Sequence, residues 1–309
     1  MITKLEELIT AVKGRPKKRI VVAYAQDAHT IEAVNAAVDM GIVDATLVGD
    51  PEEIQRVCMA LEINPAKFTL VAGGSDVACV SLAVKMVNDG EADVLMKGLV
   101  STDKYMRGIL NKECGLLPPK GVLSHVTVFE LLMYHKLLVV SDVAVIPYPD
   151  LSQKTAIVRY LTATAKVLGV ERPKIAAIAP SEQLLASVQS SVEAAVLAKM
   201  ADRGQLGDVV LDGPLALDVA LFEEVARTKR LSSPVAGDAD ILLVPSIAAG
   251  NILGKALYGL AGGKMAGVVL GASVPITVNS RGASSDEKYS SILLCCAMDG
   301  AQHTPPRTT

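Results

Sequence analysis

From residue 19 to residue 298, short runs of β-branched and aliphatic residues alternate with segments of helical periodicity, and this alternation restricts the chain to an α/β architecture. The first runs are residues 19–25 (RIVVAYA), 45–50 (ATLVGD), 68–72 and 94–97. Between them lie helical stretches at 30–40, closed by Gly41, at a segment opened by Pro51, and at 77–87, followed by Gly90. Continuous apolar strands are what a parallel sheet covered by helices requires. Composition agrees: half the residues are hydrophobic, Trp is absent and only 3 Phe occur, so the core is aliphatic. Ahead of the first strand, Ile2, Leu5, Leu8, Ile9 and Val12 recur at helical spacing, with Thr3 and Glu6 in a capping-box pattern.

The middle of the chain departs from this pattern. Residues 122–130 and 137–146 are two strand-like runs with no room for a helix between them, which predicts antiparallel pairing. Pro147 and Pro149 end the second run. A long amphipathic helix at 152–168 restores the alternation. Strands are expected at 175–179, 209–212 and 241–244, and helices at 192–200, 217–229 and 251–260. Two last strands at 268–270 and 276–278 precede a helix at 285–298. The tail from residue 299 is polar, with Pro305-Pro306, and is expected to be disordered. A length of 309 residues exceeds the usual single domain. The expectation is two α/β lobes with the crossing near 122–146: a first domain from 1–127 plus 272–309, and a second, 128–271, inserted between.

The charge balance, 30 basic against 33 acidic residues, gives −3 and argues against general nucleic-acid binding, which needs a basic stripe. It leaves room for small anions held by a few Arg and Lys. No apolar run reaches the roughly 20 residues of a membrane span. Residues 1–13 carry Lys4, Glu6 and Glu7 and so lack the apolar block of a signal peptide. Five cysteines without a CxxC pair fit a reducing cytoplasm. The four histidines, at 29, 125, 135 and 303, lack metal-ligand spacing, and no metal is expected. No GxGxxG follows a strand, and no GxSxG supports a nucleophilic serine.

Sheets of this kind place ligands at the carboxyl ends of strands. Lys97-Gly98 with Ser101 and Thr102 follows a strand and opens a helix, either as an anion site or as a helix cap beside a solvated lysine. Asp212-Gly213-Pro214 ends another strand, where Asp commonly caps. Residues 245–251 (PSIAAGN) open a helix, with Gly250 and Asn251 allowing a ligand to approach backbone; Lys255 makes this a near miss to a phosphate-binding loop, but Ala249 and Ala256 exclude an NTP-hydrolysing reading. His125 in LSHVTVFE is either a hydrogen-bonded core residue or a functional one, and Cys295 and Cys296 are packing residues. Residues 279–288 are the richest segment. Arg281 offers a permanent fork for phosphate, Ser280 a hydroxyl, Ser284 and Ser285 caps, and Asp286 and Glu287 carboxylates in a first helical turn.

Taken in order, KGLVST at 97–102, LSHV at 123–126, KMADRGQ at 199–205, DGPLALD at 212–218, ADILLVP with AAGN at 239–251 and NSRGASSDE at 279–287 resemble the phosphate acetyltransferase and phosphate butyryltransferase family, the butyryl branch more than the acetyl. The resemblance runs from about residue 90 to residue 298; before that only the general β-α pattern matches. It implies two doubly wound, mostly parallel α/β domains with a cleft between them, similar to the isocitrate and isopropylmalate dehydrogenases. It implies acyl transfer between coenzyme A and inorganic phosphate, with coenzyme A as substrate and no permanently bound cofactor.

The family's active-site Ser-Arg pair falls on Ser280 and Arg281. The catalytic acidic residue of the acetyl branch falls on Glu287, and butyryl-type members carry an acidic residue at the place of Asp286, so the role belongs to that pair. The expected phosphate- and coenzyme A-binding set is Lys97, Gly98, Ser101, Thr102, Ser124, His125, Asp212, Gly213, Gly250 and Asn251. Expected partners are acyl-CoA and phosphate, with neither nucleic acid nor membrane, in a homodimer or larger homo-oligomer. The competing readings are an acyl-carrier-protein:phosphate acyltransferase, a metal-dependent decarboxylating dehydrogenase, for which no Asp cluster is found, and a catalytically silent coenzyme A-binding protein.

Overall fold

The computed structural model describes residues 1–301. Most of the tail expected to be disordered, from residue 302, lies outside the described residues. In chain order the elements are α1 (Leu8–Val12), β1 (Lys18–Ala23), α2 (Ala28–Asp39), β2 (Val43–Gly49), α3 (Pro51–Ala60), β3 (Thr69–Ala72), α4 (Asp76–Asn88), β4 (Val94–Lys97) and α5 (Thr102–Ile109). The pair β5 (Ser124–Glu130) and β6 (Leu138–Ser141) follows with no helix between, as expected. Next come α6 (Leu151–Val167), β7 (Lys174–Ile178), α7 (Gln189–Asp202), β8 (Val210–Leu215), α8 (Leu217–Leu221), α9 (Glu223–Thr228) and β9 (Ile241–Leu243). The chain continues through α10 (Ile247–Lys255), β10 (Lys264–Leu270), β11 (Ile276–Thr277) and α11 (Ser285–Met298). Helix starts follow side-chain chemistry. Asp27, Asp50, Ser75, Ser101, Asp150, Ser246 and Ser284 each accept a first-turn backbone N–H, each cap worth about 1 kcal/mol.

The chain divides into two compact units. A split unit comprises Glu6–Leu123 with Ala266–Gly300; an inserted unit comprises Met1–Leu5 and Ser124–Met265, with Ala301. The sheet of the split unit has the order β3-β2-β1-β4-β11-β10, parallel except for β11 with β10. The chain runs outward from β1 to β3 and then returns to the other side of β1 with β4. This reversal makes the carboxyl ends of β1 and β4 a switch point, where such sheets receive ligands. The sheet of the inserted unit has the order β5-β6-β9-β7-β8, parallel except for β5 with β6. Ile20–Ala23, all of β4 and all of β9 are buried, which explains why these strands read as unbroken apolar runs. Among the described residues no helix is long and apolar enough to cross a membrane.

Several boundaries differ from the sequence reading, each for a local reason. The Thr3–Glu6 pattern does not open an α-helix. Ile2 N–H bonds the Leu168 carbonyl and Leu5 N–H the Glu130 carboxylate, so Leu5–Glu7 form a 3-10 turn and α1 starts at Leu8. The run at 137–146 is a strand only to Ser141, because the Asp142 carboxylate collects the N–H groups of Ala144, Val145 and Ile146 and turns the chain. The helix expected at 217–229 breaks at Phe222, which is extended (φ −123°). Asp212 and Gly213 do not end a strand but lie within β8. Gly250 and Asn251 lie inside α10, which starts earlier, at Ile247, under the Ser246 cap; residues 256–260 are a π turn rather than its continuation. Cys295 and Cys296 are buried in α11 as packing residues, as expected.

Candidate active site

Three neighbouring strand ends of the split unit converge. Lys97 is the last residue of β4 and pairs in register with Ala23 at the end of β1. Asp27 follows β1 and caps α2, and Asn279 stands two residues past β11. Lys97 is 1% exposed, so the reading of a solvated lysine is excluded. Among the described residues its ammonium donates only to backbone carbonyls, Asn279 O at 3.2 Å and Gly98 O at 3.4 Å. Burial, with the nearby Lys288 and Arg281 cations, pushes its pKa down to about 8, against the opposing pull of Asp27. Lys288, equally buried, is neutralised: its ammonium meets Asp27 Oδ1 and Thr30 Oγ1, both at 2.9 Å. Burial alone would raise the Asp27 carboxyl, but the Thr30 and Lys288 hydrogen bonds outweigh it and hold the group below its ordinary value.

The buried carboxylate of this cluster is Glu287, in the first turn of α11. Its backbone N–H is taken by the Ser284 cap at 3.2 Å, and its Oε1 accepts from Asn279 Nδ2 at 3.2 Å. Asn279 Nδ2 also donates to Ser291 Oγ at 3.0 Å. Asp286, one residue before Glu287, is exposed. Ser280 and Arg281 are exposed too, in a turn in which Ser280 O accepts from Ala283 N–H at 3.1 Å and Ser280 Oγ from Gly282 N–H at 3.4 Å. Gly98 is fixed by packing: a Cβ there would stand 2.3 Å from the Tyr24 carbonyl oxygen. Ser101 caps α5 by accepting from Lys104 N–H at 3.4 Å, and Thr102 is exposed at its first position.

The remaining residues expected to bind substrate lie in the inserted unit. Ser124, Gly250 and Asn251 gather around Asp142. The Ser124 hydroxyl meets Asp142 Oδ2 at 3.0 Å and Ser141 Oγ at 2.9 Å. A Cβ on Gly250 would come within 2.3 Å of the Asp142 carbonyl oxygen, and Asn251 Nδ2 donates to Val143 O at 3.1 Å. The glycine is therefore required by the chain's own backbone. His125 Nδ1 meets Thr127 Oγ1 at 3.1 Å, and burial lowers the imidazole pKa, with Asp142 opposing. Asp212 and Gly213 are not with this group; Asp212 Oδ1 accepts the Gly213 N–H at 2.8 Å, and Gly213 packs on Ala177.

Sequence reasoning gave no role to Asp27, Lys288, Asn279, Ser291 or Asp142. Asn279 and Lys288 stood at the two ends of the segment 279–288, without a role of their own. Among the described residues no group of three His, Cys, Asp or Glu is placed to hold a metal ion.

Buried cations thus stand at the switch-point strand ends of an α/β protein, and Asn279 links one of them, Lys97, to a buried glutamate. The family model described as "Phosphate acetyl/butaryl transferase" matches residues 4–78 and 77–296, and so reaches the first ninety residues, where the sequence offered no motif. The chain belongs to this family of phosphate acyltransferases. It is 41% identical to the phosphate butyryltransferase of Clostridium acetobutylicum over 300 residues, 97% of this chain and 99% of the relative. With the phosphate acetyltransferase of Thermotoga maritima the identity is 38%, over 94% of this chain and 98% of the relative. The crystal structure of a branched-chain phosphotransacylase from Enterococcus faecalis superposes with a TM-score of 0.80 at 28% identity, covering 93% of this chain and all of that one.

Proposed function

We propose that the chain moves a short, butyryl-like acyl group between coenzyme A and inorganic phosphate through a ternary complex, with the chemistry carried by the split unit. The observation that carries this reading is Lys97, a buried cation with no carboxylate partner among the described residues, in one cluster with Arg281 and, through Asn279, Glu287. A phosphate dianion supplies the charge that Lys97 lacks, and the Arg281 fork holds it by paired hydrogen bonds. In the acyl-CoA-forming direction a carboxylate takes the thiol proton of coenzyme A. The thiolate then attacks the carbonyl carbon of the acyl phosphate. Ser280 and Arg281 donate to the oxyanion of the tetrahedral intermediate; as the carbon–oxygen bond to phosphate breaks, the protonated carboxyl gives the thiol proton to the leaving phosphate oxygen, which departs as the hydrogen phosphate dianion and restores the carboxylate.

Of the two acidic candidates, Glu287 is favoured as the base, because it is buried and held by Asn279 in the cluster with Lys97, whereas Asp286 is exposed. No resident cofactor enters any step; coenzyme A comes and goes as substrate. A cytoplasmic homo-oligomer is the setting this reading assumes.

The test is a phosphate-dependent thioester assay with acetyl-, propionyl-, butyryl- and isobutyryl-CoA side by side. Fastest turnover of the four-carbon thioesters is expected, and preference for acetyl-CoA would move the chain to the acetyl branch. Absence of any phosphate-dependent turnover would refute the activity. A second measurement follows label from acyl-CoA into free coenzyme A without phosphate. The ternary route predicts no exchange, whereas rapid exchange would require a covalent acyl-enzyme.

A further inference from the structure

Asn279 lies between the two charged groups the proposed chemistry needs. Its backbone carbonyl accepts from the Lys97 ammonium at 3.2 Å, and its side-chain amide reaches the Glu287 carboxylate at 3.2 Å. It is 5% exposed, and Glu287 is 7% exposed. The hydrogen atoms available fix which way the amide points. The Ser291 hydroxyl gives its single proton to the Glu287 carbonyl at 2.9 Å and accepts from Gly267 N–H at 3.0 Å. Toward Asn279 it can only accept. An ionised Glu287 likewise only accepts. Both neighbours therefore require the nitrogen, and a flipped amide would set its oxygen against two acceptors.

The consequence is a buried amide oxygen, Asn279 Oδ1, with no hydrogen-bond partner among the described residues. Leaving a buried acceptor unpaired lowers stability.

We propose that Asn279 is a positioning residue that acts through Glu287, its amide nitrogen orienting the buried carboxylate that takes the thiol proton. The proposal rests on the reading of Glu287 as the base. Ser291 completes the arrangement by holding the second amide hydrogen, so that the Asn279 side chain is fixed from two sides. The base is then oriented before substrate arrives, and small errors of placement in such groups are expensive in rate.

The test is a double-mutant cycle of Asn279→Ala with Glu287→Gln, assayed in the acyl-CoA-forming direction on the full chain. In the otherwise unchanged protein, Asn279→Ala is expected to lower kcat roughly 10- to 100-fold while the KM for acyl phosphate changes less than about threefold. In the Glu287→Gln background the same substitution is expected to change kcat less than about threefold, because no base remains to be oriented. Equal losses in both backgrounds would show a general structural effect and overturn the proposal. A normal kcat for Asn279→Ala, alongside a strongly impaired Glu287→Gln, would overturn it while leaving Glu287 as the base. Normal activity of Glu287→Gln would remove the base itself, and the proposal with it. Should Asn279→Ala fail to fold, Asn279→Ser, which keeps a polar group but cannot reach both neighbours, enters the same cycle with the same expectations.

Discussion

Replacing Lys97 by Met tests the electrostatic argument where the structure makes it most specific. Met fills a similar volume and carries no charge. A drop in the lysine pKa from 10.5 to about 8 on folding means that the charged form is about 3 kcal/mol less favourable in the folded chain than in the unfolded one. Below pH about 8 both states carry the proton, and the whole penalty is present. Between about 8 and 10.5 the folded chain has lost the proton while the unfolded chain keeps it. The unfolded state then binds more protons, so stability rises by about 1.4 kcal/mol per pH unit from this group, and above 10.5 the penalty is gone.

Lys97→Met should therefore be more stable than the unchanged protein by up to about 3 kcal/mol near neutral pH, and the gap should close as pH rises to about 10.5. Urea unfolding of both proteins across that range measures it. Comparison of the two cancels tyrosines and cysteines that titrate in the same window. Added phosphate should stabilise the unchanged protein and have a much smaller effect on the variant, since the anion removes the penalty by pairing with the cation. A gap that stays flat with pH, or an equal response to phosphate, would refute the view of Lys97 as an unpaired buried cation awaiting an anion.

Arg281→Ala should lower turnover by about a hundredfold or more with an unchanged circular dichroism spectrum, on the scale of a lost oxyanion donor; near-normal turnover would remove Arg281 from the mechanism. Asp27→Asn keeps a good helix cap but leaves the Lys288 ammonium buried without its counter-charge, so a loss of about 3–5 kcal/mol in unfolding free energy is expected, and a loss below about 1 kcal/mol would show that the pair contributes little. Gly250→Ala tests whether the Asp142 carbonyl is what demands a glycine. Helix propensity alone predicts a gain of about 1 kcal/mol, the 2.3 Å approach predicts a net loss of about 1–3 kcal/mol, and the sign of the shift in thermal midpoint decides.

The alternation of strands and helices was readable because buried parallel strands are continuous apolar runs and most helix starts carry Asp or Ser. α11 was placed at residues 285–298, its observed bounds, since Ser284 caps it and hydrophobic residues fill its last turns. The β6 end was not readable. An aspartate whose carboxylate turns the backbone looks, within residues 137–146, like one polar residue in an apolar strand, and only the three N–H groups it collects reveal the turn. Phe222 likewise interrupts a helical pattern without any Gly or Pro to mark it.

The segment with Ser280, Arg281 and Glu287 stood out because it packs hydroxyl, guanidinium and carboxylate between a strand and a helix. The companions of Glu287 did not stand out. Asp27 and Lys288 are 261 positions apart, and a lysine in a helix is ordinarily a surface residue, so nothing local distinguished Lys288 from the rest. The buried amide of Asn279 is equally silent in sequence, since its role depends on which protons Ser291 has left to give.

Ten of the fourteen residues of α11, from Glu287 to Met298, are buried, which makes this helix an interior rod and not an amphipathic cover. Hydrogen exchange in such a rod requires opening most of its unit, whereas the exposed residues 280–282 can rearrange on their own. The proposed chemistry thus joins a stationary partner to a compliant one. In that reading, a carboxylate that keeps its place through the cycle works with a serine and an arginine free to follow an oxyanion as its geometry changes from planar to tetrahedral and back.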